Sequence, residues 1–117
     1  MKFKIANDQF PIDWRGTSLQ GYIQATRRQM VKVFGAPQVS DDSDIKLSWE
    51  VQFENGAIAR IYDWREKTPV GLDGEIYAWR IGALGVSAVA LVHDAFREAH
   101  HLLTRPTWPD AGSVRSA

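Results

Sequence analysis

Alternation opens the chain: Phe3 and Ile5 interleave with Lys2 and Lys4, Asn7-Asp8 offers a turn, and Phe10 and Ile12 follow. A two-residue loop at Asn7-Asp8 predicts a hairpin with Ile5 against Phe10 and Phe3 against Ile12, all four on one half-buried face. Pro11 suits an edge strand. The period then changes. Leu19, Tyr22, Ile23, Thr26, Met30, Val33 and Phe34 recur at helical spacing, behind a Thr17/Gln20 capping box and ahead of the stop signal of Gly35 and Pro37. Gly21 is a poor helix residue, so an alternative start lies near Tyr22, with residues 16–21 as a shaped loop. Gln38 to Asp44 reads as a polar linker.

The clearest strand follows, with Ile45, Leu47, Trp49, Val51 and Phe53 alternating with Lys46, Ser48, Glu50 and Gln52. Asn55-Gly56 predicts a hairpin. Its return strand is Ala57 to Trp64, followed by a loop with Pro69, Gly71 and Gly74 and a last strand carrying Tyr77, Trp79 and Ile81. Ser87 is the expected N-cap of a second helix ending near Leu103, buried through Ala88, Leu91, Val92, Ala95, Phe96, Ala99, Leu102 and Leu103. The class is α+β, in the order ββαβββα: an antiparallel sheet of about five strands packed by two amphipathic helices. The 117 residues suit one domain, 1–103, and the Pro-, Ser- and Gly-rich stretch 104–117 reads as a flexible tail.

The turn at Asn55-Gly56 admits two registers. A two-residue turn sets Phe53 opposite Ile58, Trp49 opposite Tyr62 and Leu47 opposite Trp64, with Arg60 on the apolar face. A Gly56 bulge shifts the pairing by one. Ala57, Ala59 and Ile61 then join the core, Arg60 meets Glu50, and Ile58, Tyr62 and Trp64 occupy the other face as a binding or dimer surface. The Glu50–Arg60 pairing favours the second register.

Composition narrows the chemistry. Without cysteine there is no disulfide, thiolate nucleophile or thiolate metal site. Fourteen basic residues balance fourteen acidic ones, which argues against a nucleic-acid binder. No signal peptide or apolar span appears, so a cytoplasmic protein without membrane contact is expected. Trp precedes Arg three times, at Trp14-Arg15, Trp64-Arg65 and Trp79-Arg80, twice within Tyr-x-Trp-Arg. Aromatic faces stack on rings and guanidinium forks grip carboxylates or phosphates, while both dominate protein interfaces. Arg15, Tyr62, Trp64, Arg65, Tyr77, Trp79 and Arg80 are therefore the candidate ligand- or partner-binding residues. Simple alternation, Trp inward and Arg outward, explains each pair as well.

Other clusters carry less. His93, Glu98 and His101 could adjoin on the last helix as a metal or proton-transfer site, but they lie off its apolar stripe and read as a solvated face. Residues 16–21 lack the Walker lysine, and capping explains Thr17 and Ser18. Asp41, Asp42 and Asp44 lack calcium-loop spacing. Arg27, Arg28 and Lys32 make a basic helix face. No cofactor or catalytic residue is assigned.

Several segments together resemble a group of small proteins encoded by bacteriophages and prophages. They are Gly16-Thr17-Ser18-Leu19-Gln20-Gly21-Tyr22-Ile23, Val33-Phe34-Gly35-Ala36-Pro37, the Trp49 to Phe53 strand, Asn55-Gly56 with Ala59-x-Ile61-Tyr62-Asp63-Trp64, and Trp79-Arg80-Ile81-Gly82. The resemblance implies an accessory gene product acting in the host cytoplasm. The function expected is a non-enzymatic binding protein that sequesters or inhibits a host component, in antiviral defence. A host protein is favoured over a small anionic ligand such as a nucleotide signal. A small nucleic-acid-binding domain is the alternative, and a small hydrolase or metal enzyme a further one. An exposed aromatic face or edge strand predicts a homodimer.

Overall fold

The computed structural model describes residues 2–7, 9–42, 44–66 and 74–104, with side chains to Ala99. The predicted tail beyond Thr104, the loop residues Pro69 and Gly71, and the side chains of His100, His101, Leu102 and Leu103 lie outside the described residues. Along the chain run strands β1 (Phe3–Ile5) and β2 (Ser18–Thr26), helix α1 (Arg27–Phe34), strands β3 (Gln38–Val39), β4 (Leu47–Phe53), β5 (Ile58–Tyr62) and β6 (Ile76–Ala83), and helix α2 (Val86–Thr104). The strands form one antiparallel sheet in the order β1-β4-β5-β6-β2, with β3 also on β4. The α+β class and the antiparallel meander hold, while the number and placing of strands differ from expectation.

The Asn55-Gly56 hairpin takes the bulged register. The Gly56 N–H donates to the Phe53 carbonyl and the Phe53 N–H to that of Ala57, each at 2.9 Å. Gly56 itself sits at φ 89°, a left-handed conformation that glycine tolerates without cost from a Cβ. Trp49 therefore faces Ile61, Glu50 faces Arg60, and Val51 faces Ala59.

The core lies between one sheet face and the two helices. Leu47, Trp49, Val51, Phe53, Ala59, Ile61, Trp79, Ile81 and Ile23 point into it, met by Met30 and Phe34 of α1 and Ala88, Val92 and Ala95 of α2. Trp49 and Trp79 pack edge to face at 5.2 Å between ring centroids. Their buried indole N–H groups donate to the carbonyls of Gly35 (2.8 Å) and Ala25 (3.0 Å), so neither is left unpaired.

Two expected elements are corrected. Residues 18–26 are an edge strand rather than helix, paired with β6 from Ser18↔Ala83 to Thr26↔Ile76. A second Thr-x-x-Gln box decides where the helix starts. The Thr26 side chain accepts the Gln29 N–H, and the Gln29 side chain accepts the Thr26 N–H. Only Arg27 to Phe34 remain helical, and Ile23 and Ala25 reach the core by strand alternation instead.

The N-terminal hairpin is the other correction. Phe10 makes only an isolated bridge to Asn7, while Phe3 and Ile5 pair with Phe53 and Val51 of β4. That edge offers a matching apolar row, whereas Pro11 supplies no ladder donor to a second strand. Within the expected linker, Gln38 and Val39 add two short pairs to Ser48 and Leu47.

Candidate functional site

The face of the sheet turned away from the helices is ordered in rows. Lys4, Gln52 and Ile58 lie across it first, then Glu50, Arg60, Gly82 and Leu19, then Ser48, Tyr62, Arg80 and Tyr22, and last Ala78 and Gln24. The connection from β1 to β2 crosses this face as a strap. Ile12 of this connection is buried, and the Arg60 guanidinium lies 3.8 Å from the centroid of the Trp14 ring. A Cβ on Gly82 would come within 3.6 Å of the Thr17 hydroxyl oxygen. The strap thus covers the row containing Arg60; in the next row Ser48 is buried, Tyr62 and Arg80 are half-buried and Tyr22 is exposed.

The covered row holds an ion pair. Arg60 Nε donates to Glu50 Oε2 at 3.3 Å, with the two side chains 18% and 5% exposed. The row containing Arg80 holds a ladder of stacked groups. The Arg80 guanidinium stands 5.5 Å from the ring centroids of both Tyr22 and Trp64. Arg65 approaches Trp64 at 5.0 Å, and Tyr62 meets Trp64 edge on at 6.4 Å. Arg65 is neutralised by Asp44, its Nε donating at 3.1 Å. Among the described residues, no carboxylate pairs with Arg80.

The position of Trp64 depends on Tyr77, which lies on the opposite, core-facing side of β6. The Tyr77 hydroxyl accepts the Trp64 backbone N–H at 3.2 Å and donates to Glu66 Oε2 at 3.1 Å. Burial pushes the phenol above its ordinary pKa, while the Trp64 N–H acts in the other direction. One residue earlier, buried Asp63 accepts the N–H groups of Lys46 (2.8 Å) and Leu47 (3.1 Å) through Oδ1. These anchors fix the exit of β5, after which Arg65 adopts φ 55°.

In comparisons with known proteins, no family model, curated protein or solved structure matches the chain.

Of the seven residues expected to bind, the structure brings together Tyr62, Trp64, Arg65 and Arg80. Trp79 has no exposed surface and belongs to the core; Tyr77 supports Trp64 from behind. Arg15 is occupied elsewhere. It chelates Asp13 through Nε and Nη2, both at 2.9 Å, and these hydrogen bonds hold the Asp13 carboxyl down to about 2. Sequence reasoning misses Tyr22 in the ladder and Trp14 over Arg60. Helical spacing places Tyr22 on a helix stripe, although the uncharged run Ser18 to Thr26 and the Thr26/Gln29 box are both legible.

The free edge of β2 is the competing surface, and it is blunted. The Phe53–Ala57 bond sets the alternation of hydrogen-bonded pairs across the sheet, which turns the backbone groups of Tyr22 and Gln24 outward. His93 Nε2 lies 2.7 Å from the Tyr22 carbonyl and donates to it. Gln29 takes the Thr26 N–H, and the register shifts between Leu19 and Gly21. Such interruptions are how edge strands resist pairing with a further strand. Among the described residues, no three metal-ligating side chains gather, and no helix is long and apolar enough to cross a membrane.

Proposed function

We propose that this chain is a non-enzymatic binding protein that captures a host protein on the uncovered half of its sheet face, sequestering or inhibiting it in the setting of antiviral defence. The observation that carries the reading is Arg80, held between the rings of Tyr22 and Trp64 and without a described carboxylate partner. Arginine and large aromatics in one ordered cluster are the side chains that dominate binding energy at protein interfaces. Stacking fixes the guanidinium before the partner arrives, so less side-chain entropy is lost on binding. The phage setting and the host target rest on the sequence resemblance.

The test is capture from bacterial lysate on the tagged chain, comparing wild type with a Tyr22→Ala/Arg80→Ala double variant. A host protein retained by wild type and released by the double variant supports the reading. Identical retained sets end it. Self-association is a second proposal. It is favoured at the end of the sheet where Leu84 and Val86 are 74% and 70% exposed and Leu19 lies half-open nearby in the adjoining strand.

A further inference from the structure

Resting on that reading, we infer that the group Arg80 takes from its partner is a single carboxylate, presented by an acidic protein segment lying across Tyr62, Arg80 and Tyr22. Three observations converge on this. First, the Arg80 guanidinium lies 5.5 Å from the ring centroids of both Tyr22 and Trp64, and its N–H donors have no hydrogen-bond acceptor among the described residues. A guanidinium fork matches a carboxylate with two parallel hydrogen bonds.

Second, of the three arginines on this side of the sheet, two have carboxylate partners and one does not. Glu50 neutralises Arg60 under the strap, and Asp44 neutralises Arg65. Arg80 is the remaining guanidinium there, and no described carboxylate meets it. A nucleic-acid strand repeats its charge at every nucleotide and is held by several cations in line, which this row lacks. Trp64 is moreover approached by both Arg65 and Arg80, which competes with stacking of a base on its ring.

Third, the neighbours of Arg80 are neutral. Gln24 offers hydrogen bonds, and Tyr22, 48% exposed, offers apolar surface. An extended protein segment supplies that mixture beside its one acid. A second basic feature serves as an internal control. It is a shallow groove of about 420 Å³ at the other end of the sheet, lined by Lys2, Lys4 and Glu54 among others.

The experiment is a titration of the isotope-labelled full chain with a short oligoglutamate, following the Arg80 Nε–H and Trp64 indole signals. The expected result is a saturable shift of both, absent with oligoglutamine and weakened about tenfold or more in Arg80→Gln. Equal shifts with oligoglutamine overturn the inference. So do shifts confined to the Lys2 and Lys4 groove, or tighter and steeply salt-dependent binding of a short oligothymidylate at Arg80. Failure here is separable from failure of the binding face itself. A captured partner released by Tyr22→Ala but retained by Arg80→Gln would leave the face standing and remove the carboxylate.

Discussion

Arg60 and Arg80 stand on the same face, one row apart, and their neighbours give them opposite roles. Arg60 lies under Trp14 against a nearly inaccessible carboxylate, so removing it strands Glu50 without a counter-charge. Arg60→Met is expected to cost about 3–5 kcal/mol in urea unfolding, and adding Glu50→Gln should return much of that loss. A double variant as unstable as the single one would mean the guanidinium acts through packing on Trp14 instead. Tyr77 allows a pH test. Its folded-state pKa lies above the ordinary 10.0, so the native state favours the protonated phenol. That contribution is complete below pH 10 and is lost as the pH climbs past it. The melting temperature of wild type should therefore fall more steeply above pH 10 than that of Tyr77→Phe; parallel curves would show that the phenol is not responsible. At this scale the Trp-Arg pairs were legible, but their outcomes were not. Trp79 turns inward with Arg80 outward by plain alternation. Trp64 and Arg65 instead stay together because the chain leaves the ladder at Asp63 and Arg65 takes a left-handed turn.

Elements were legible where one period had no rival. Strand β4 and helix α2 follow from alternation and a wide apolar stripe, whereas Asn55-Gly56 admits two registers and only the Glu50–Arg60 pairing favours the bulged one that forms. Strand β2 was hidden because Tyr22, Ile23, Thr26 and Met30 also satisfy helical spacing, and because both Thr17/Gln20 and Thr26/Gln29 resemble a capping box. Tertiary pairing with β6 chose between them. Gly21 shows why the strand carries a glycine there. A Cβ at this position would come within 2.8 Å of Val89 Cγ1, on the helix packed above. Gly21→Ala is expected to cost about 1–3 kcal/mol by overpacking, and Val89→Ala in the same chain should relieve part of it. Additive losses in chemical denaturation would remove this account of how β2 and α2 fit. The N-cap gives a smaller effect: Thr26→Ala should cost about 1 kcal/mol, since it releases the Gln29 N–H that its hydroxyl accepts.

At the scale of the whole molecule, three surfaces compete to meet other chains, and the structure treats them differently. The β2 edge is interrupted by the bulge beside Gly21, by His93 on the Tyr22 carbonyl, and by Gln29 on the Thr26 N–H. The open face carries an uncompensated Arg80, and bringing two copies together there opposes like charges. The end of the sheet carries no such obstacle: Leu84, in the turn after β6, and Val86, at the start of α2, are largely exposed, and a Cβ on Gly16 of the strap would lie 3.6 Å from Leu84 Cδ2. The chain's zero net charge adds no long-range repulsion between copies. The end of the sheet is therefore where self-association is expected, leaving the ladder of Arg80 free for a partner. Light scattering at concentrations on the order of tens of micromolar should show a dimer, and Leu84→Glu/Val86→Glu should return a monomer with nearly unchanged melting temperature, since both side chains are largely solvated. A monomeric wild type would remove the dimer altogether. A dimer that survives this pair of substitutions but dissociates with Tyr22→Glu would move the contact to the open face, where it would compete directly with the proposed partner.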